Sequence, residues 1–142
     1  MKRVFQIIMI LALMAGVVHS CADTPINGEL DAQWQVLRIQ YVDGDEVVPT
    51  SPNRYISFYR YTIQFAPGSI FNHTGNMVYD ESASTISVEV PAWTSDFNEW
   101  GLDVPENPYE RPYVTSFNVE HLSAKNLTLV TPEGTVITLR KY

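Results

Sequence analysis

Cysteine is nearly missing from this chain. Cys21 is the only one in 142 residues, so no intrachain disulfide can form and a stable fold must rest on a hydrophobic core. Long apolar runs are missing after the first 20 residues, and no later stretch reaches the roughly 18 apolar residues a membrane helix needs. Basic residues are scarce: 9 Lys and Arg stand against 16 Asp and Glu, a net charge of −7. Nucleic acid is bound through Lys and Arg neutralising phosphates, so no nucleic-acid partner is expected. His73 and His121 are the only histidines after residue 20. They fall in different elements, without a His or Cys partner at ligand spacing, whereas zinc needs three or four converging ligands. Gly-x-Ser-x-Gly, a glycine-rich phosphate loop and a dinucleotide fingerprint are all absent. Carboxylates abound, but nothing fixes two of them at the separation glycoside hydrolysis requires. The sequence therefore names no catalytic residue, no metal and no cofactor, and the chain is read as a non-enzyme.

What is present begins at the N-terminus. Lys2 and Arg3 precede a run from Val4 to Val18 that is apolar apart from Gln6 and Gly16. That is the pattern of a secretory signal over residues 1–20, too short for a comfortable membrane span. A buried helix is the weaker reading, because no polar face recurs at helical spacing. The segment ends in Val18-His19-Ser20-Cys21, which resembles the lipobox of bacterial lipoproteins, with His19 where a small or aliphatic residue is usual. The resemblance implies lipid attachment at Cys21 and a place in the bacterial cell envelope, on the periplasmic or the surface-exposed side of the outer membrane. A free thiol in an oxidising compartment is the alternative. Removal of residues 1–20 takes Lys2 and Arg3 with it and moves the net charge from −7 to −9. Anionic headgroups would repel such a domain, so attachment has to come from the lipid. Each buried CH₂ contributes about 0.8 kcal/mol, and several acyl chains anchor stably where one does not.

Residues 21–29 are polar, carry Pro25 and Gly28, and read as a flexible tether. From Gln33 the pattern alternates, with Leu37, Ile39 and Tyr41 on one face. Asp43-Gly44 signals a hairpin, and a short return at Glu46-Val47-Val48 stops at Pro49. Tyr55 to Phe65 reads as one long strand, with Tyr59, Tyr61, Ile63 and Phe65 on its inner face. Ala66-Pro67-Gly68 turns the chain. A weaker strand follows over 69–79, with Gly75 marking a bulge or bend. Ser84 to Val90 alternates cleanly, with Ile86, Val88 and Val90 inward. Pro91 to Pro112 breaks the pattern. It is acidic, rich in proline, and holds Trp93, Trp100 and Tyr109. Asp96-Phe97-Asn98-Glu99 fits a helix capping box and Gly101 is placed to end a short helical turn. The tail is a meander: Val114 to Val119, a turn over His121 to Lys125, Asn126 to Thr131, and Thr135 to Lys141.

About eight strands joined mostly by short turns predict an all-β fold, an antiparallel up-and-down barrel over residues 30–142. A β-sandwich, with 91–112 as its crossover, is the second possibility. Asp31-Ala32-Gln33-Trp34 resembles the Gly-x-Trp entry motif of lipocalins, with Ala32 in place of glycine. The whole order, from lipobox cysteine to a basic pair and a terminal aromatic, is similar to small lipocalin-like lipoproteins of Bacteroidetes. That resemblance implies that Trp34 closes one end of the barrel and that Arg140, near the end of the last strand, packs across it. It supplies a fold far more than a function.

Two functions are open to such a chain. One is a binding module, expected to be a monomer, for a small apolar or amphipathic molecule entering beside residues 91–112, with Tyr59, Tyr61, Phe65, Trp93, Trp100 and Tyr109 as candidate contacts. The other is an accessory protein whose aromatic loop docks a protein or glycan while the interior is solid. Burial of Trp93 and Trp100 would take away the main support of the second, and a barrel packed with side chains, without a cavity of roughly 300 Å³, would defeat the first.

Overall fold

The computed structural model describes residues 25–68 and 72–142. The expected signal segment and Cys21 lie outside them. Nine strands form one antiparallel sheet: β1 (Ala32–Gln40), β2 (Glu46–Val47), β3 (Tyr55–Tyr59), β4 (Thr62–Ala66), β5 (His73–Asp80), β6 (Thr85–Val90), β7 (Tyr113–Leu122), β8 (Asn126–Val130) and β9 (Val136–Lys141). β1 pairs with β3 along its first half and with β9 along its length, which closes eight strands into a barrel. β2 is an addition, paired only with the end of β1 through Ile39↔Val47 and Gln40↔Glu46. The expected barrel is therefore the fold, and the sandwich is not. Closure leaves no long sheet edge to aggregate.

The eight barrel strands are not quite the eight expected. Tyr55 to Phe65 is two strands, folded back at Arg60-Tyr61. Neither residue is a turn former, and Arg60 sits in the left-handed region at φ 54°. The turn is held from outside itself. The Asp31 carboxylate accepts the Arg60 N–H at 3.0 Å, and the Asn27 side-chain amide donates to the Arg60 carbonyl at 2.7 Å. The fold-back resets the alternation, so Ile56, Phe58, Ile63 and Phe65 point inward. Tyr59 and Tyr61, expected on the inner face, lie outside at 53% and 67% exposure.

Two bulges shift the register again. In the β1–β9 ladder Val36 faces Leu139 and Arg38 faces Thr138, which leaves Leu37 as the extra residue. Trp34 and Val36 point inward before the bulge and Ile39 after it, so the expected Leu37–Ile39–Tyr41 face is replaced by one that changes parity. A second bulge at Glu120 carries β7 on to Leu122, through residues expected to turn. Elsewhere the alternation holds as read: Ile86, Val88, Val90, Leu127, Leu129, Ile137 and Leu139 are all core.

The turns cluster at one end of the barrel, with the chain's entry. There a 3-10 turn (Gly28–Leu30) drops Leu30 into the core, and Trp34 Nε1 donates to the Leu30 carbonyl at 3.0 Å. Trp34 is buried at this end, and the cation beside its ring is not Arg140. Side chains alternate along β9, and the ladder sets Lys141 opposite Trp34 and Arg140 opposite Gln35. Lys141 Nζ lies 5.5 Å from the indole centroid and 3.1 Å from Glu29 Oε2. Arg140 Nε donates instead to Gln35 Oε1 at 3.0 Å. Lys141→Ala should therefore lower stability by about 0.5–1 kcal/mol, a fall of roughly 3–5 °C in Tm, while Lys141→Arg should restore it. Thermal unfolding followed by circular dichroism reads the difference.

Candidate functional site at the loop end of the barrel

The opposite end carries the long connections, and residues 91–112 decide its character. β6 ends at Val90, the chain crosses the barrel mouth, and a 3-10 turn (Ser95–Trp100) is seated in it. The expected capping box does not form: Thr94 is the residue before the turn and no side chain caps it. Gly101 ends the turn as expected. It is left-handed at φ 77°, and its N–H bonds the Asn98 carbonyl at 3.1 Å. An added Cβ at Gly101 would sit 2.8 Å from Ile39 Cγ2 and 3.3 Å from Ile137 Cγ1, so the turn is pressed onto β1 and β9.

Phe97 and Trp100 from this turn are completely buried. Their rings meet Phe65 edge-on at 5.3 and 5.8 Å, and Phe97 stacks on Tyr113 at 6.0 Å. Polar contacts tie the rim of the turn to the strand ends. Tyr41 donates its hydroxyl to the Asn98 carbonyl at 3.1 Å, and His73 Nε2 lies 3.2 Å from Asp96. The Arg54 guanidinium pairs with Glu99 and lies 5.4 Å from the Trp100 ring centroid. The turn is a stopper held by β1, β4, β5, β7 and β9, and by Tyr41 and Arg54 from the connections beside them.

Among the described residues the interior beneath is full, so the ligand expected inside the barrel finds no room there. Trp34, Val36, Ile39, Ile56, Ile63, Phe65, Phe117 and the inward leucines of β8 and β9 have no accessible surface. Side chains in that state line no void that a water molecule could enter. Among the described residues, no group of His, Cys, Asp and Glu could hold a metal ion.

Room exists outside the wall. After Gly101 the chain leaves the mouth and drapes over the outer face of β6 and β7. Asp103 pins it: Oδ1 accepts the Thr131 hydroxyl at 2.7 Å, Oδ2 accepts the Glu133 N–H at 3.1 Å, and its carbonyl accepts the Tyr113 hydroxyl at 3.0 Å. Burial raises the Tyr113 pKa, a hydrogen bond with Thr115 opposes that rise, and the Asp103 and Glu133 charges add to it. Tyr113 therefore stays a neutral donor. A groove of about 500 Å³ lies between this segment, the β8–β9 turn and the strand faces, with walls from Val104, Pro105, Tyr113, Val114 and Pro132. A second groove, about 310 Å³, continues it over Met77 and Val78, and the two meet at Ser87 and Val114. Exposed Val78, Val104 and Val114 make this an apolar track on the outside of the barrel.

The aromatic residues expected at a ligand are dispersed. Phe65 and Trp100 are core, Trp93 is half-buried against the core, Tyr59 and Tyr61 are outside at the turn end, and Tyr109 is almost fully exposed. None of them lines the larger groove. Tyr113, Val104 and Val114 do, and the usable signal for them was the proline-punctuated acidic stretch after Gly101 rather than its tryptophans.

Comparison with known proteins agrees with this architecture. Residues 12–142 match the family described as a lipocalin-like domain. A solved lipocalin-like protein from Bacteroides uniformis superposes with a TM-score of 0.61 at 23% identity, over 81% of this chain and 100% of that one. An uncharacterized protein from Bacteroides eggerthii gives 0.55 at 22% identity, over 78% and 98%. No curated protein matches the chain. A closed eight-stranded barrel entered at Trp34, with one added strand and a family match across nearly its whole length, places this chain in the lipocalin-like domain family.

Proposed function

We propose that this protein is an exported, non-enzymatic binding module, held in the bacterial envelope by lipid on Cys21, that takes a small apolar or amphipathic ligand on the outside of its barrel. The observation that carries this reading is the groove of about 500 Å³ beside residues 103–106, set against an interior without room. Ligand sites are commonly 300–1,000 Å³, mostly apolar, with a few placed polar groups. Here Ser87 and Ser116, on the outward face of β6 and β7, supply hydroxyls among the apolar walls. The docking alternative relied on exposed loop tryptophans, and the burial of Trp100 and half-burial of Trp93 remove most of that support.

Two measurements test the reading. Ser116→Phe fills the groove from an outward position without touching the core. Native mass spectrometry of protein purified from its own host should show a bound small molecule in the wild type and none in this variant. Retention of the same molecule by Ser116→Phe would move the site elsewhere. For the anchor, Cys21→Ala should shift the protein from the membrane to the soluble fraction, and continued membrane partitioning would refute lipidation.

A further inference from the structure

Building on the groove reading above, we propose that the ligand is cationic at its polar end, an alkylammonium or similar amphiphile, received by Glu106 and Glu133. The lining of the larger groove includes Asp103, Glu106 and Glu133 and no Lys, Arg or His, and the adjoining groove adds Glu89, again without a basic residue. These carboxylates are not equivalent. Asp103 is committed to Thr131 and to the Glu133 backbone. Among the described residues, the side chains of Glu106 and Glu133 make no ion pair and no hydrogen bond. They stand beside walls made of Val104, Pro105, Val114 and Pro132, so an apolar body and a positive head can be satisfied together.

The wider charge distribution points the same way. Arg60, Lys125, Arg140 and Lys141 sit at the turn end of the barrel, away from the groove. The basic residues of the loop end are Arg38, Arg54 and Arg111, and the first two are paired with Glu46 and Glu99. Arg111 has no ion pair among the described residues, and none of the three lines either groove. A cleft lined with one sign of charge beside low-dielectric walls concentrates the opposite ion. An anionic amphiphile would instead meet three carboxylates at once, and a neutral one would gain only the apolar walls.

The test uses the full chain and three probes of equal chain length below their micellar concentrations: dodecyltrimethylammonium, dodecyl maltoside and dodecyl sulfate. Binding is followed by amide chemical shifts at Val104, Val114 and Ser116. The ammonium probe should bind about tenfold more tightly than the maltoside, and the Glu106→Gln, Glu133→Gln double variant should lose about that factor. Its affinity should also fall as salt rises, since the Debye length shortens from about 10 Å at 0.1 M to 3 Å at 1 M. Equal binding of all three probes at these amides, unaffected by the double variant, would overturn the cation preference and leave the groove standing. Tighter binding of the sulfate would do the same. Binding of none of them at these amides would overturn the groove itself.

Discussion

Gly75→Ala will lower the melting temperature by roughly 10–20 °C. The sign is opposite to the usual one, because alanine in a strand normally gains over glycine by reducing the freedom of the unfolded chain. Gly75 faces inward in β5, where β6 crosses closest. A Cβ there would lie 2.4 Å from the Glu89 carbonyl oxygen and 2.4 Å from Val90 Cγ1. Val90 is buried and could turn only into other core side chains. The Glu89 oxygen is backbone, fixed by a strand whose neighbours are β5 and β7, and has no rotamer to escape to. The two strands must part, and the Asn76↔Glu89 pairing beside the contact goes with them. Overpacking a core usually costs about 1–3 kcal/mol, and movement of backbone places this case at the upper end, near 3 kcal/mol. Thermal unfolding of Gly75→Ala against Ser87→Ala, an outward change in the neighbouring strand, isolates the effect. A fall of less than about 3 °C would show that the strands are not in contact there.

Trp100→Ala should be as damaging for the opposite reason. Trp100 is fully buried at the centre of the stopper, against Phe65, Phe97 and the Arg54 guanidinium. Removing it takes away apolar contact and leaves a hole, a combination that costs about 3–5 kcal/mol. Its ring nitrogen is buried without a hydrogen-bond partner among the described residues. Trp100→Phe therefore forfeits no hydrogen bond and should cost about 1–2 kcal/mol, the missing volume alone. Denaturant unfolding separates the two variants by their midpoints. The hole left by alanine is walled by apolar rings, and such cavities stay dry and accept small apolar guests. Benzene should therefore raise the midpoint of Trp100→Ala and leave the wild type unchanged. If Trp100→Ala unfolded like the wild type, the turn at 95–100 would not be the stopper described.

Much of this was legible from residues alone. The barrel, its entry at Trp34 and the inner faces of β6, β8 and β9 follow from clean alternation bounded by turn residues. The departures share one physical origin. Arg60-Tyr61 has no turn chemistry of its own and is bent by Asn27 and Asp31, more than 25 residues away in sequence. The bulges at Leu37 and Glu120 are set by pairing across the ladder, and each inverts the face that a strict period of two assigns. The same one-residue parity moved the partner of Trp34 from Arg140 to Lys141. The groove was harder still to find. Its walls come from β6, β7, the 103–106 segment and the β8–β9 turn, and no single stretch advertises them. The aromatic residues that stood out in the sequence did so because they fill the mouth, and filling is what excluded them from contact with a ligand.

The chain enters the barrel at the turn end, through Asn27 and the 3-10 turn before Trp34. With Cys21 lipidated as proposed, only a few residues separate the bilayer from that pole, and each spans at most about 3.6 Å. The closed pole must then sit near the headgroups, with Lys125, Arg140 and Lys141 around it. The strands stand between membrane and groove, a distance on the order of 20 Å at about 3.3 Å per residue. The acidic loops point outward, where repulsion from anionic lipid is weakest. On that proposal, a molecule caught there would come from the aqueous side and not by lateral diffusion within the anchoring membrane. The anchor would thus act as a mast, presenting the groove to solutes, neighbouring cells or other envelope proteins beyond the reach of its own bilayer.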